Sequence, residues 1–200
     1  MDTFLQQIIN GLVLGSMYAL IALGYTMVYG VLNLINFAHG EILMIGAMAA
    51  LSLLNVIEHI APGLPGSMQL VLAIAGAIPV CVIVSIIIER VAYRRLRNAP
   101  RLAPLITAIG MSILLQTLAM MIWGRNPLPF PQLLSGDSIS ISGALITPTQ
   151  ILLLVLSALA MLVLALLVER TRLGRAMRAV AENPRVAALM GVDANRVIVF

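Results

Sequence analysis

Residues 169–196 read ERTRLGRAMRAVAENPRVAALMGVDANR, and they form the longest charged segment in a chain that is otherwise almost entirely apolar. Six of the twelve arginines lie here. The segment is too polar to lie in lipid, and its apolar residues and arginines recur too regularly for a flexible linker. It therefore predicts folded structure outside a bilayer, attached to the apolar chain that precedes it.

The first half of the segment predicts an amphipathic helix with one basic side. Apolar residues recur at helical spacing on one face and arginines recur on another. The two sets are Leu173, Met177 and Val180, and Arg172, Arg175 and Arg178. The helix should stop by Glu182 or Asn183, because the residue before a proline is pushed out of the α region.

A second, short helix should follow at once. Asn183 can cap it, Pro184 suits its first position, and Gly191 suits its C-terminal stop. A helix of about two turns is not stable alone in water, so something must pack on it. A solvated basic loop touching anionic headgroups would explain the arginines, but it would not explain the break or the apolar second helix. A docking element for a soluble partner explains both.

Composition places the remaining chain in a membrane. The chain is 61% hydrophobic and 10% charged, with a mean hydropathy of +1.05, whereas soluble domains are about 25% charged. Its basic residues are all arginine, and they cluster at 90–101 and 170–196, which marks both clusters as cytoplasmic. The single cysteine, Cys81, allows no internal disulfide and predicts an apolar packing role.

We predict an all-α fold, a polytopic transmembrane helical bundle with five spans and the start of a sixth. A span needs about 20 apolar residues. The predicted spans are residues 4–29, 41–57, 69–88, 102–123 and 150–168, with a helix break near 30–41, a basic loop at 89–101 and turn-rich loops at 58–68 and 124–149. Another apolar run begins at 197, which predicts that the chain continues in a longer protein.

Orientation follows from the arginine clusters. Spans four and five lie between the two clusters, so both clusters can face the cytoplasm and residues 124–149 then lie outside. If residues 30–41 make a single reversal, the N-terminus also lies outside. An additional half-span within residues 1–57 would reverse that assignment.

The stretch 33–41, NLINFAHGE, is the candidate for a permeation pathway. Asn33, Asn36, His39 and Gly40 would share one polar face of a helix, with Glu41 beside them. Polar groups at bilayer depth must face protein or water, so a broken helix lining a pathway is one interpretation. The other is a helix start at the membrane interface, capped by Asn36 and with Glu41 in its first turn. Spacing alone leaves both open.

Other patterns limit the chemistry. Without lysine there is no phosphate-binding loop, and there is neither a nucleophile elbow nor a His-Glu-x-x-His motif, so we expect no catalytic residue, no metal and no cofactor. The clear interiors of the predicted spans hold no Asp, Glu, Lys or Arg, so driving energy should enter elsewhere. Gly11, Gly15 and Ala19 form a small-residue stripe that predicts close helix packing.

Several motifs in register resemble one family, the LivH-type permease subunits of branched-chain amino-acid ABC importers. They are NGL at 10–12, ALIALGY at 19–25, INFAHGE at 35–41, ERVAYR at 89–94, LAPLI at 102–106, GRAMRA at 174–179 and NP at 183–184. The chain departs from the family in length. Its run at 187–191 is also only loosely like the Glu-Ala-Ala-x-x-x-Gly coupling motif of other ABC importers.

The resemblance implies a single transmembrane permease domain, 1–200, of a bacterial inner membrane protein that does not bind nucleic acid. It implies a second homologous permease subunit, two cytoplasmic ATPase subunits and a periplasmic binding protein that delivers leucine, isoleucine or valine. Residues 169–196 would be the cytoplasmic coupling loop, and the implied contacts are Arg175, Arg178, Asn183, Pro184, Ala187, Ala188 and Gly191. Transport of urea or a short amide, or an ATP-independent channel or carrier, remains an alternative.

Overall fold

The computed structural model describes residues 2–32, 36–96, 99–100, 102–134, 139–141, 144–193 and 197. Within these ranges the chain is almost entirely helical, and five helices are long and apolar enough to cross a membrane. These five are α1 Asp2–Leu32, α2 His39–Ile60, α3 Gly66–Ile88, α4 Leu102–Trp123 and α5 Pro148–Arg170. The all-α polytopic prediction is confirmed, and the helix break falls between α1 and α2 as expected.

Most helices extend a few residues past the predicted apolar runs, because polar residues at their ends still complete backbone hydrogen bonds. The start of α5 shows the local reason. The hydroxyl of Thr147 accepts a hydrogen bond from the Gln150 N–H, and the Gln150 amide oxygen accepts one from the Thr147 N–H. This reciprocal capping box satisfies donors that a helix N-terminus otherwise leaves open.

The prediction of a basic loop at 89–101 is wrong over its first eight residues. The chain stays helical as a π-helical turn, Glu89–Tyr93, followed by a 3₁₀ turn, Arg94–Leu96. Glu89 and Ala92 are buried. The charged residues ended the apolar run in the sequence, but they did not end the helix, because arginine side chains can reach solvent from a continuous backbone.

The loop predicted at 124–149 also contains regular structure. Strands β1, Ile139–Ile141, and β2, Ala144–Ile146, pair antiparallel, with Ile139 opposite Ile146. The Gln6 amide of α1 exchanges two hydrogen bonds with the backbone of Leu145. Such three-residue strands are too short to leave a period in the sequence, and a side chain distant in sequence supports the hairpin.

The chain forms two compact units, residues 1–35 with 135–200 and residues 36–134. In the first unit α1 and α5 run parallel. Near their starts, the Gln150 amide donates to Asn10. Near their ends, both helices line one cleft together with helix α6, Arg172–Glu182. The N-terminus therefore lies at the end of this unit opposite the arginine-rich segment.

In the second unit α2 and α3 pack as a close antiparallel pair. A Cβ added at Gly46 would lie 2.6 Å from the Cys81 sulfur, and one added at Gly76 would lie 2.5 Å from a Leu53 methyl group. Small residues thus let the two backbones approach. The buried cluster formed by Ala38, Ile45, Ile88, Ala92 and Leu115 joins this pair to α4.

The parallel pair α1 and α5 generates a topology prediction. In a Cys81→Ser background, a cysteine placed at Thr3 should react with a membrane-impermeant thiol reagent in intact spheroplasts. A cysteine at Arg175 should react only after the membrane is permeabilised. Labelling of the Thr3→Cys variant that requires permeabilisation would contradict the orientation.

Candidate functional site

Helix α2 begins beside the middle of its neighbour α4. One carboxylate oxygen of Glu41, in the first turn of α2, accepts hydrogen bonds from the Ser112 hydroxyl at 2.9 Å and the Gln116 amide at 2.6 Å. At 1.5 Å per residue, Ser112 lies about 15 Å along α4, a helix about 33 Å long. The first turn of α2 is therefore level with the middle of a membrane-spanning helix.

A second contact defines the same relative position of α2 and α4 along their axes. The indole N–H of Trp123, the last residue of α4, donates to the Ser52 hydroxyl of α2 at 2.8 Å. Glu41 and Ser52 are eleven residues apart, as are Ser112 and Trp123. The two helices thus run parallel, and α2 starts halfway along α4. This position favours the broken-helix interpretation over a helix start at the membrane interface.

Residues 36–38, directly before α2, are not helical, and the polar groups of Asn36 are bonded within the protein. The amide oxygen of Asn36 accepts from the Ala38 N–H at 3.1 Å and from the Tyr93 hydroxyl at 2.6 Å. The Asn36 carbonyl accepts from the His39 N–H. Irregular backbone at membrane depth is tolerated only where protein or a water-filled cavity surrounds it. Ala38 is fully buried here.

Two expectations about this stretch need correction. Ala38, not Asn36, is the N-cap of α2, and no side chain caps it. Asn36 precedes the helix, so it does not share a helical face with His39 and Gly40. Its side chain bonds the chain two residues on and the distant Tyr93. Glu41 lies in the first turn as expected, and Asn33 lies outside the described residues.

The expectation that span interiors hold no Asp, Glu, Lys or Arg is also wrong, because of Glu41. Glu41 sat at a predicted span boundary in the sequence, but the structure places it level with mid-α4. Sequence reasoning also missed Tyr93, Ser112 and Gln116. The spacing of Ser112 and Gln116, four residues apart in an apolar span, places them on one helical face and was the available signal.

The arginine-rich segment is fixed to the end of α5 by three local contacts. Thr171 caps both helices, since its hydroxyl donates to the Leu167 carbonyl and accepts from the Gly174 N–H. A Cβ at Gly174 would lie 2.1 Å from the Val168 oxygen, so only glycine allows this approach. The Arg178 guanidinium donates to the Val168 carbonyl at 2.9 Å. Helices α5 and α6 therefore form one stiff corner.

The predicted second helix is confirmed as α7, Pro184–Leu189. The Asn183 amide oxygen accepts from the Val186 N–H, and Gly191 adopts a φ of 82° at the stop. Ala187 is buried, whereas three large apolar side chains beyond the ends of the spans are exposed. These are Val186 at 53%, Leu189 at 87% and Met190 at 80%. The helix is held on one side and presents an apolar surface on the other.

The residues that the family resemblance implied for coupling fall into two groups. Four are exposed in or around α7, namely Asn183, Pro184, Ala188 and Gly191, and Arg175 is exposed on α6. Ala187 is 3% exposed and holds α7 in place, and the Arg178 side chain turns back to the end of α5. The exposed group and the apolar surface of α7 together form the candidate docking site.

The small-residue stripe of α1 has no neighbour in the described part of the chain. Gly11, Gly15 and Ala19 are exposed, and no described atom would lie within 4 Å of a Cβ added at either glycine. Close packing along this stripe stays a prediction for a helix of another chain.

A bundle of apolar helices with a helix break at mid-depth and a folded basic hairpin is typical of a multi-pass membrane transport component. Residues 7–200 match the family described as branched-chain amino acid transport system / permease component. The chain belongs to that family. It is a multi-pass protein of the bacterial inner membrane.

Three relatives illustrate the similarity. The high-affinity branched-chain amino acid transport system permease proteins BraD of Pseudomonas aeruginosa and LivH of Salmonella typhimurium are each 44% identical over 200 residues, and LivH of Escherichia coli K12 is 43% identical. Each alignment covers 98% of this chain and 64% of the relative. The chain thus spans less than two thirds of their length. No solved structure matches it.

The corner between α5 and α6 generates a stability prediction. Gly174→Ala should lower the melting temperature in detergent and speed tryptic cleavage at the arginines of α6, because overpacking costs about 1–3 kcal/mol. Gly11→Ala is the matched control, since a Cβ there meets open space, and it should leave both measurements unchanged. Equal behaviour of the two variants would contradict the close approach.

Proposed function

We propose that this chain is the membrane part of an ABC importer permease that carries leucine, isoleucine or valine inward by alternating access. The observation that carries the proposal is the exposed apolar surface of α7 on an arginine-rich hairpin beyond the spans. It suits a soluble cytoplasmic partner, and the relatives are named as permeases of such amino acids.

Each proposed partner has a separate role in transport. Two cytoplasmic ATPase subunits bind at α7, a second homologous permease subunit completes the pathway, and a periplasmic binding protein delivers the cargo. Only a ligand with different affinity for two states can shift their balance. Here that ligand is ATP bound in the partner subunits. The chain itself acts as a transporter and not as an enzyme.

The corner at Thr171, Gly174 and Arg178 supports this mode of coupling. A force applied to α7 passes to α6 and then to the C-terminal end of α5, because the corner has little freedom to bend. α5 packs along α1 in the same unit. The helices of that unit therefore respond to partner movement together.

The mid-depth start of α2 is the proposed place where cargo passes, with Asn36, His39, Gly40 and Glu41 as lining residues and Ser112 and Gln116 as supports. A helix N-terminus carries a partial positive charge, and Glu41 carries a negative one. Groups of opposite sign at one depth suit the carboxylate and ammonium of an amino acid. Urea or a short amide, which has no net charges, would use them less well.

The docking proposal predicts different effects of substitution at two neighbouring residues, Ala187 and Ala188. Ala188→Arg should abolish uptake and stimulation of ATPase activity while the protein remains in the membrane, because the charge would stand on the exposed docking surface. Ala187→Arg should also disturb α7 itself, because that side chain is buried. Uptake and pull-down of the ATPase subunits measure the effect.

Ala179→Arg, on an exposed position of α6, is the matched control and should retain uptake. Normal uptake by the Ala188→Arg variant would overturn the coupling assignment. Uptake without any bound ATPase subunit would favour an ATP-independent carrier.

The pathway proposal predicts a charge-specific loss of transport. Glu41→Gln should reduce leucine uptake at least tenfold, which corresponds to about 1.4 kcal/mol, with assembly retained. Asn36→Ala and Gly40→Val should also lose transport. Glu58→Gln, at an exposed position near the other end of α2, should behave as the unmodified protein.

Unchanged uptake by the Glu41 and Asn36 variants would favour a purely structural helix start. Competition by excess urea but not by valine in the unmodified protein would favour the amide alternative.

A further inference from the structure

A cleft of about 380 Å³ opens between α1, α5 and α6 in the first unit, within the range of about 300–1,000 Å³ typical of small-molecule sites. Its walls are mostly apolar, with Leu23 and Met27 from α1, Leu164 and Val168 from α5, and Met177 from α6. The proposed transport cycle assigns no role to it.

The charged groups of the cleft lie at one end. Glu169 and Arg178 line it where α5 meets α6. Leu164 is five residues before Glu169 on α5, which places the apolar end about 7.5 Å deeper than Glu169 along the helix. The cleft thus has an apolar depth and a charged mouth at the edge of the predicted spans. A water-soluble metabolite does not match that division, but an amphiphile lying in the membrane interface does.

Arg178 and Glu169 carry opposite charges, and one donates hydrogen bonds whereas the other accepts them. The bond from Arg178 to the Val168 carbonyl uses one of its five N–H donors. The remaining donors suit phosphate oxygens, which guanidinium groups bind in bidentate fashion. The carboxylate of Glu169 accepts hydrogen bonds and attracts a cation. A ligand with a phosphate next to a primary ammonium matches both side chains.

We propose that this cleft binds a phospholipid with a primary amine headgroup, such as phosphatidylethanolamine. The phosphate lies against Arg178, the ammonium lies against Glu169, and an acyl chain fills the apolar depth. An anionic lipid without the amine meets repulsion from Glu169. A quaternary ammonium headgroup keeps the charge but offers no N–H donor. The bound lipid joins α1, α5 and α6, so it stabilises the corner that holds the coupling segment.

The test measures lipid binding to the purified protein in detergent by native mass spectrometry. Phosphatidylethanolamine, phosphatidylcholine and phosphatidylglycerol with identical acyl chains are titrated separately. Phosphatidylethanolamine should bind about tenfold more tightly than either of the others, because only its ammonium donates hydrogen bonds to the Glu169 carboxylate. Saturation with it should also raise the melting temperature, because a ligand that binds only the folded state stabilises that state.

Variants separate the parts of the site. Glu169→Gln should abolish the preference for the primary amine, and Arg178→Gln should weaken all three lipids about tenfold. Ala165→Phe, which fills the cleft from α5, should have the same effect as Arg178→Gln without touching a charge. Arg172→Gln and Glu182→Gln change exposed charges of α6 that do not line the cleft, and they should bind like the unmodified protein.

Equal binding of the three lipids would overturn the proposal. So would a preference that survives in the Glu169→Gln variant, or binding that the Ala165→Phe variant leaves unchanged. If Arg178→Gln fails to fold, the Glu169→Gln and Ala165→Phe variants still decide the outcome. None of these readouts depends on transport, so they test the lipid site independently of the proposed function.

Discussion

The structure depends on one constraint, which is that backbone N–H and C=O groups in a bilayer must find partners inside the protein. A helix that starts at mid-depth exposes its first donors where no bulk water can reach them. The hydrogen bonds from the Ala38 and His39 N–H groups to Asn36 satisfy two of these donors, and the Tyr93 hydroxyl holds the Asn36 side chain that accepts one of them. Without them, the start of α2 would be costly at this depth.

The π-helical turn at Glu89–Tyr93 belongs to the same solution. A π-helical turn adds a residue to the helical path and changes the direction of the side chains that follow, and such turns recur at functional sites. Here the turn ends at Tyr93, whose hydroxyl reaches Asn36 across 57 residues of sequence. The buried Glu89 and Ala92 lie in the turn itself. The irregular end of one span thus supports the irregular start of another.

The same constraint acts at the membrane edge, where the last carbonyl groups of α5 would otherwise lack partners. The Thr171 hydroxyl and the Arg178 guanidinium provide them, and Gly174 lets α6 approach closely enough to do so. One set of contacts therefore closes the span and sets the direction of the arginine-rich segment, the proposed coupling segment. It also leaves Arg178 at the mouth of the interfacial cleft.

The sequence by itself determined the features that depend on residues close together in the chain, namely the spans and the ends of α7. Apolar run lengths gave the five spans to within a few residues, and Asn183, Pro184 and Gly191 gave the start and stop of α7, because capping and proline geometry act locally. It could not give the depth of Glu41 or the bond between Tyr93 and Asn36. Nor could it reveal that Ala187 is buried while Leu189 is exposed. Those features arise from contacts between residues far apart in the chain, and only the tertiary structure decides which side chains meet.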